Sequence, residues 1–162
     1  MAATVIVNEK NGAGETATDK TSGTVRFKLA ENATVDLNNP ITIPAAGSTI
    51  SFEKIVRLNA TGTFTQIDNV NFYMDGANSF GTGVGVLYKT EATYGTPIQP
   101  GDTTGFTDIF AATSGAPQGL NAGTVTGTGD FGEYLTMIME VQSTAAQGTL
   151  TAETLTFSWD EI

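Results

Sequence analysis

The chain has 162 residues and a mass of 16.8 kDa, with 7 Lys and Arg against 17 Asp and Glu, a net charge of −10, and neither Cys nor His. This length suits one hydrophobic core, and the missing residue types exclude disulfides, thiolate and imidazole catalysis, and Cys- or His-ligated metal. Neutralising phosphates takes a basic stripe, whereas the seven cations are scattered from Lys10 to Lys89, so nucleic acid is not an expected partner. No membrane association is expected either: no run reaches the ~18 apolar residues of a span, and an acidic chain is repelled by anionic lipid.

In chain order, the opening MAATVIVNEK is too short and too polar for a signal peptide. A short apolar stretch, Val5-Ile6-Val7, is followed by the polar, glycine-containing run Asn8–Ser22. This pattern predicts a flexible N-terminal arm over residues 1–22, carrying at most a short strand at Thr4–Val7, ahead of a single domain over 23–162. The 28 Thr residues, together with Val and Ile, favour extended structure, because a β-branched carbon packs well on a pleated sheet and poorly in a helix. Short strands are predicted at Val25–Leu29, Thr34–Leu37, Ile41–Ile43 and Thr63–Ile67.

Stronger alternation marks Ser51–Leu58, where Phe52, Val56 and Leu58 share a face that Lys54 interrupts. Val70, Phe72 and Met74 alternate with polar neighbours up to the turn pair Asp75-Gly76, and Val84, Val86 and Tyr88 repeat the pattern. Residues 91–132 form a long Gly/Thr/Pro-rich excursion in which Pro97, Pro100 and Pro117 oppose central strands, with one short helix predicted at Thr107–Thr113. Tyr134–Val141 is apolar at nearly every position, and its length, under that of a typical helix, favours a doubly buried strand. Leu155, Phe157 and Trp159 alternate at the C-terminal side. The sum is an all-β chain, a two-sheet antiparallel β-sandwich of immunoglobulin-like or jelly-roll type, with an extended N-terminal arm and a long loop.

No motif fixes a chemistry, and no catalytic, cofactor or metal residue is assigned. Asp68, Asp75, Asp102 and Asp108 would be the carboxylates of a glycosidase-like pair, but acids at strand ends and in loops ordinarily terminate strands. Asp75-Gly76-Ala77-Asn78 and the Asn8, Glu9, Asn11, Glu15 group offer oxygens to calcium without the spacing of a known loop. Gly81-Thr82-Gly83-Val84-Gly85 lacks the Lys-Ser/Thr pair of a phosphate loop. The glycosylation patterns Asn32-Ala33-Thr34 and Asn59-Ala60-Thr61 lack an export signal to make them relevant. Trp159 falls in an alternating strand and reads as core, leaving Tyr73 and Tyr94 as aromatics for sugar contact.

Gly23-Thr24-Val25-Arg26-Phe27-Lys28 through Asn38-Asn39-Pro40-Ile41-Thr42-Ile43-Pro44, then Phe64-Thr65-Gln66-Ile67-Asp68-Asn69-Val70, resembles virion structural proteins of tailed bacteriophages. Among these, the small decoration, or cement, proteins of the capsid exterior are the nearest in kind. The resemblance covers under half of the chain. It implies a non-enzymatic protein on the outer capsid surface, a homo-oligomer, often a trimer, that binds the major capsid protein and stabilises the shell. A carbohydrate-binding or adhesive module, or a tail or head-fibre component, is the alternative. Under the decoration reading, Val5, Ile6 and Val7 add a strand to a shell subunit. Phe106, Ile109 and Phe110, apolar residues in the long excursion, bury themselves under it or in a neighbouring molecule.

Overall fold

The computed structural model describes residues 2–162, whose regular structure is β-strand apart from one 3-10 turn at Ile109–Ala111. The strands are β1 (Thr4–Asn11), β2 (Thr16–Asp19), β3 (Ser48–Ile50), β4 (Lys54–Thr61), β5 (Ile67–Tyr73), β6 (Val84–Glu91), β7 (Thr107–Asp108), β8 (Gln118–Gly119), β9 (Gly129–Gln142) and β10 (Thr156–Glu161). A seven-stranded sheet runs in the order β2-β1-β4-β9-β6-β7, with β3 paired to β9 beyond the end of β4. A smaller sheet, β10-β5-β8, lies against it, and every strand ladder is antiparallel. The protein is a two-sheet β-sandwich.

Directly paired residues of an antiparallel ladder share a face, so the register decides what enters the core. Val56 and Leu58 of β4, Leu135, Met137 and Met139 of β9, and Val84 and Val86 of β6 are buried toward Ile67, Val70 and Phe72 of β5. Phe72 meets Tyr88 edge-on, with ring centroids 4.9 Å apart, tying the two sheets together. β9 is the doubly covered central strand that its apolar run predicts, buried at six consecutive positions from Tyr134 to Met139.

The expected flexible arm does not form. Residues 4–19 fold into a hairpin, and Val5, Ile6 and Val7 pair with Ala60, Asn59 and Leu58 inside the large sheet. Met1, the first residue of that arm, lies outside the described residues. The hairpin closes at Asn11-Gly12, where Gly12 adopts φ +69°, a conformation that glycine reaches without a Cβ clash. Polar sequence was compatible with pairing because β2 is a fully exposed edge strand, which needs no apolar face.

Residues 20–47 hold none of the strands predicted at Val25–Leu29, Thr34–Leu37 and Ile41–Ile43. Val25, Phe27, Ile41 and Ile43 do pack on the core as alternation requires. Backbone groups in this segment find other partners: Leu29 donates to the Asn39 carbonyl, and the Lys28 carbonyl accepts from Phe52. Of Thr63–Ile67 only Ile67 lies in a strand. The predicted helix at Thr107–Thr113 shrinks to the 3-10 turn, capped by the Asp108 side chain accepting from the Phe110 amide at 3.0 Å. The 91–132 excursion is an ordered cover containing that turn, β7, β8 and the start of β9.

Candidate functional site

Period-two alternation along β4 sends Lys54 to the sandwich interior with Val56, Leu58 and Ala60, and register places Glu9 of β1 on the same face. Both are 1% exposed. Such burial of charge is costly unless each group is paired and hydrogen-bonded. The Lys54 ammonium lies 3.1 Å from Glu9 Oε1 and donates at 2.6 Å to the carbonyl of Asn32. Lys20 Nζ stands 3.6 Å from Glu9 Oε2 and donates to the Ala33 carbonyl at 2.8 Å. Lys28 Nζ donates to the Thr34 carbonyl at 2.9 Å and to Asp36 Oδ1 at 3.2 Å. Three ammonium groups therefore hold three successive carbonyls, fixing a segment that has no ladder of its own. Burial pushes the Lys54 pKa below the usual lysine value, against the opposing pull of Glu9.

A second network lies on the opposite face of the large sheet. Lys10 Nζ contacts Asp130 Oδ2 at 2.6 Å and Glu15 Oε1 at 3.4 Å, and Asn59 Nδ2 donates to Asp130 Oδ1 at 2.7 Å. Burial disfavours charge on both Lys10 and Asp130, but their pairing outweighs it, holding Lys10 above and Asp130 below the ordinary values. Arg57 lies 4.2 Å from the ring centroid of Tyr134 and donates to its hydroxyl, which in turn donates to Glu15 Oε1 at 2.8 Å. The Tyr94 hydroxyl donates to the Gly12 carbonyl at 2.7 Å, and burial, with Glu31 and Glu15 nearby, pushes its pKa up to about 12. These groups clamp the hairpin turn onto the sheet.

Between the hairpin and the lysine-held segment is a shallow open cleft of about 530 Å³. Asn11, Thr16, Thr18, Glu31, Asn32 and Thr34 are among the residues that line it. Glu31 accepts from the Gly12 amide, and Asn11 Nδ2 is buried without a hydrogen-bond partner. The cleft can hydrogen-bond a small polar solute.

The six residues expected to bind a partner are not brought together. β1, bearing Val5, Ile6 and Val7, and β7, beside Phe106, Ile109 and Phe110, stand four strand spacings apart in the large sheet, about 19 Å. Ile109 and Phe110 are buried in this chain's own core, with Phe110 edge-on to Phe80 at 6.0 Å, so neither faces outward. Phe106 is half-buried beneath Lys89, whose ammonium lies 4.9 Å from the ring centroid. The excursion thus buries Ile109 and Phe110 in its own chain while leaving Ile98 exposed.

These acids serve their own local structure. Asp75 accepts from the Ala77 amide at 2.9 Å, Asp102 from the Thr104 amide at 2.8 Å, Asp108 caps the 3-10 turn, and Asp68, at the start of β5, accepts from the Gln66 side-chain Nε2. Glu9 and Glu15 belong to the two networks on opposite faces, so the group once considered for calcium does not converge. Sequence reasoning missed Lys20, Lys28 and the Asn32–Thr34 carbonyls. Its one available signal was the lysine interrupting an apolar face, matched on β1 by Glu9 following Val5 and Val7.

Comparison of the chain with protein-family models, with curated proteins and with solved structures finds no match.

Proposed function

We propose that this chain is a non-enzymatic virion structural protein of a tailed bacteriophage, a decoration protein that binds the major capsid protein on the outer shell and stabilises it as an oligomer, with a trimer favoured. One observation carries the reading beyond the resemblance: all seven Lys and Arg residues are buried or half-buried, whereas Asp19, Asp75, Asp102, Asp108, Asp160 and Glu161 are exposed. The charge offered to solvent is therefore acidic over the described surface. Such a surface suits the outside of a shell, because on the inside it would oppose packaged DNA at close range. The small sandwich fold is compatible with this role without specifying it.

The route of attachment differs from strand addition by a free arm. Val5, Ile6 and Val7 already have β4 as their partner, so binding to the shell uses preformed surface. The sugar-binding alternative loses one of its two aromatics, since Tyr94 is tied by its hydroxyl to Gly12 and packs against Tyr134 at a centroid distance of 5.6 Å.

Quantitative mass spectrometry of purified particles tests the proposal through the copy number of this chain relative to the major shell protein. Roughly one-third to one copy per shell subunit is expected for occupation of every local symmetry site. A few copies per particle would assign it to a tail or vertex, and absence from the particle would overturn the virion reading.

A further inference from the structure

Asn11 is the one asparagine of this chain that glycine follows, and the structure sets it apart in a second way. The side-chain nitrogens of Asn59, Asn69, Asn71, Asn78 and Asn121 donate to Asp130, Asp160, the Asn69 carbonyl, the Val84 carbonyl and Glu133 respectively. Asn11 Nδ2 is buried and donates to nothing. A buried amide nitrogen that has lost water and gained no partner is destabilised where it stands, so its departure breaks no hydrogen bond.

The adjacent peptide nitrogen is placed to attack. The Gly12 N–H donates to Glu31 Oε1, and Glu31 is itself held by the lysine network, since Lys54 and Lys20 fix the carbonyls of the next two residues, Asn32 and Ala33. Gly12 has no Cβ to obstruct the approach of its nitrogen to the preceding side chain. Asn11, Gly12 and Glu31 all line the open cleft, so solvent water reaches them. A leaving amide, a neighbouring nitrogen and a carboxylate fixed on that nitrogen's proton are the parts of an intramolecular acyl transfer.

We propose that Asn11 is a self-modification site, where the Gly12 nitrogen, with Glu31 as its base, displaces the side-chain amide and water then converts the residue to aspartate or isoaspartate. Glu31 takes the proton from the Gly12 nitrogen as that nitrogen bonds to Asn11 Cγ. The Cγ–Nδ2 bond breaks, and the proton passes from Glu31 to Nδ2, which leaves as ammonia. A water molecule opens the resulting five-membered imide at either carbonyl, giving α-linked aspartate or β-linked isoaspartate and adding a negative charge to the cleft. Isoaspartate also lengthens the main chain at the Asn11–Thr16 pair that closes the hairpin. The reaction is thus a one-way clock on the hairpin, and it stands independently of any virion location.

Incubation of the full chain at neutral pH tests this, with intact mass and peptide mapping reading a gain of about 1 Da at residue 11. The folded protein should convert Asn11 about tenfold faster than the chain unfolded in urea at the same pH, where Glu31 no longer meets Gly12. Glu31→Gln keeps an oxygen for the Gly12 N–H but supplies no base. It should convert about tenfold more slowly than wild type when folded, with unchanged far-UV circular dichroism, and at the wild-type rate in urea. A loosened hairpin alone would not produce that pattern. A folded wild type no faster than the unfolded chain, a Glu31→Gln variant as fast as wild type, or conversion at other asparagines with none at residue 11 overturns the proposal. Should Glu31→Gln not fold, the comparison of folded with unfolded wild type decides alone.

Discussion

Lys54 stands where alternation demands an apolar side chain, and the molecule meets the cost by surrounding its ammonium with Glu9 and the Asn32 carbonyl. Removing one member of such a set does more damage than removing two. In Lys54→Met, Glu9 keeps only the 3.6 Å approach of Lys20, and the Asn32 carbonyl loses its donor. The expected loss is about 3–5 kcal/mol, because a buried carboxylate is left undercompensated. Lys54→Met with Glu9→Gln should recover a substantial part, since the second change removes the stranded charge. Urea unfolding of the two single variants, the double variant and wild type gives the coupling directly. A double variant as weak as the sum of the singles would mean that Glu9 and Lys54 do not act as a pair.

Among the strands, β6 offers a paired test of backbone against side-chain constraint. Gly83, just before it, adopts φ +76°, and a Cβ there would lie 2.6 Å from Thr144 Oγ1 and 2.8 Å from the Ala145 amide. Gly85, two residues on, faces open space at a φ that any residue can adopt. Gly83→Ala should therefore cost about 1–3 kcal/mol, from strain and close approach together. Gly85→Ala should be neutral or stabilising by up to about 1 kcal/mol, through reduced freedom of the unfolded chain. Thermal unfolding of both separates the two roles, and equal melting temperatures would contradict them. Sequence could not distinguish these glycines, because the feature that does so, the 143–145 turn, is more than fifty residues away. Alternation did reveal β4, β5, β6 and β10, whose apolar faces record their burial, and the short, nearly continuous apolar run of Tyr134–Val141 revealed β9. It misled at Val25–Leu29, where Val25 and Phe27 point inward from a backbone whose polar groups are satisfied outside any ladder. The hairpin was hidden for the opposite reason, as an exposed edge strand imposes no apolar pattern, although Asn11-Gly12 was a local turn signal. The lysine-held carbonyls left no trace, because any residue supplies a carbonyl.

For the molecule as a whole, the placement of residues 4–19 changes what truncation should do. A free arm would be removable without affecting the sandwich. Here β1 pairs with β4 from Ile55 to Thr61, brings Val5 and Val7 onto the core, and carries Glu9, the carboxylate shared by Lys54 and Lys20. Deleting residues 1–19 would expose an eight-residue strand, Lys54–Thr61, with most of its side chains buried in the intact protein, as a new sheet edge. It would also leave two lysine ammoniums inside without their counter-ion. Loss of a cooperative unfolding transition is expected, with binding of a hydrophobic dye and self-association through the bared edge. Truncation after Ala2 should have little effect, because it spares every β1 pairing. A shortened chain beginning at Lys20 that melted cooperatively at the wild-type temperature would show that the hairpin is an accessory to the sandwich; the register and the shared carboxylate predict that the fold fails without it.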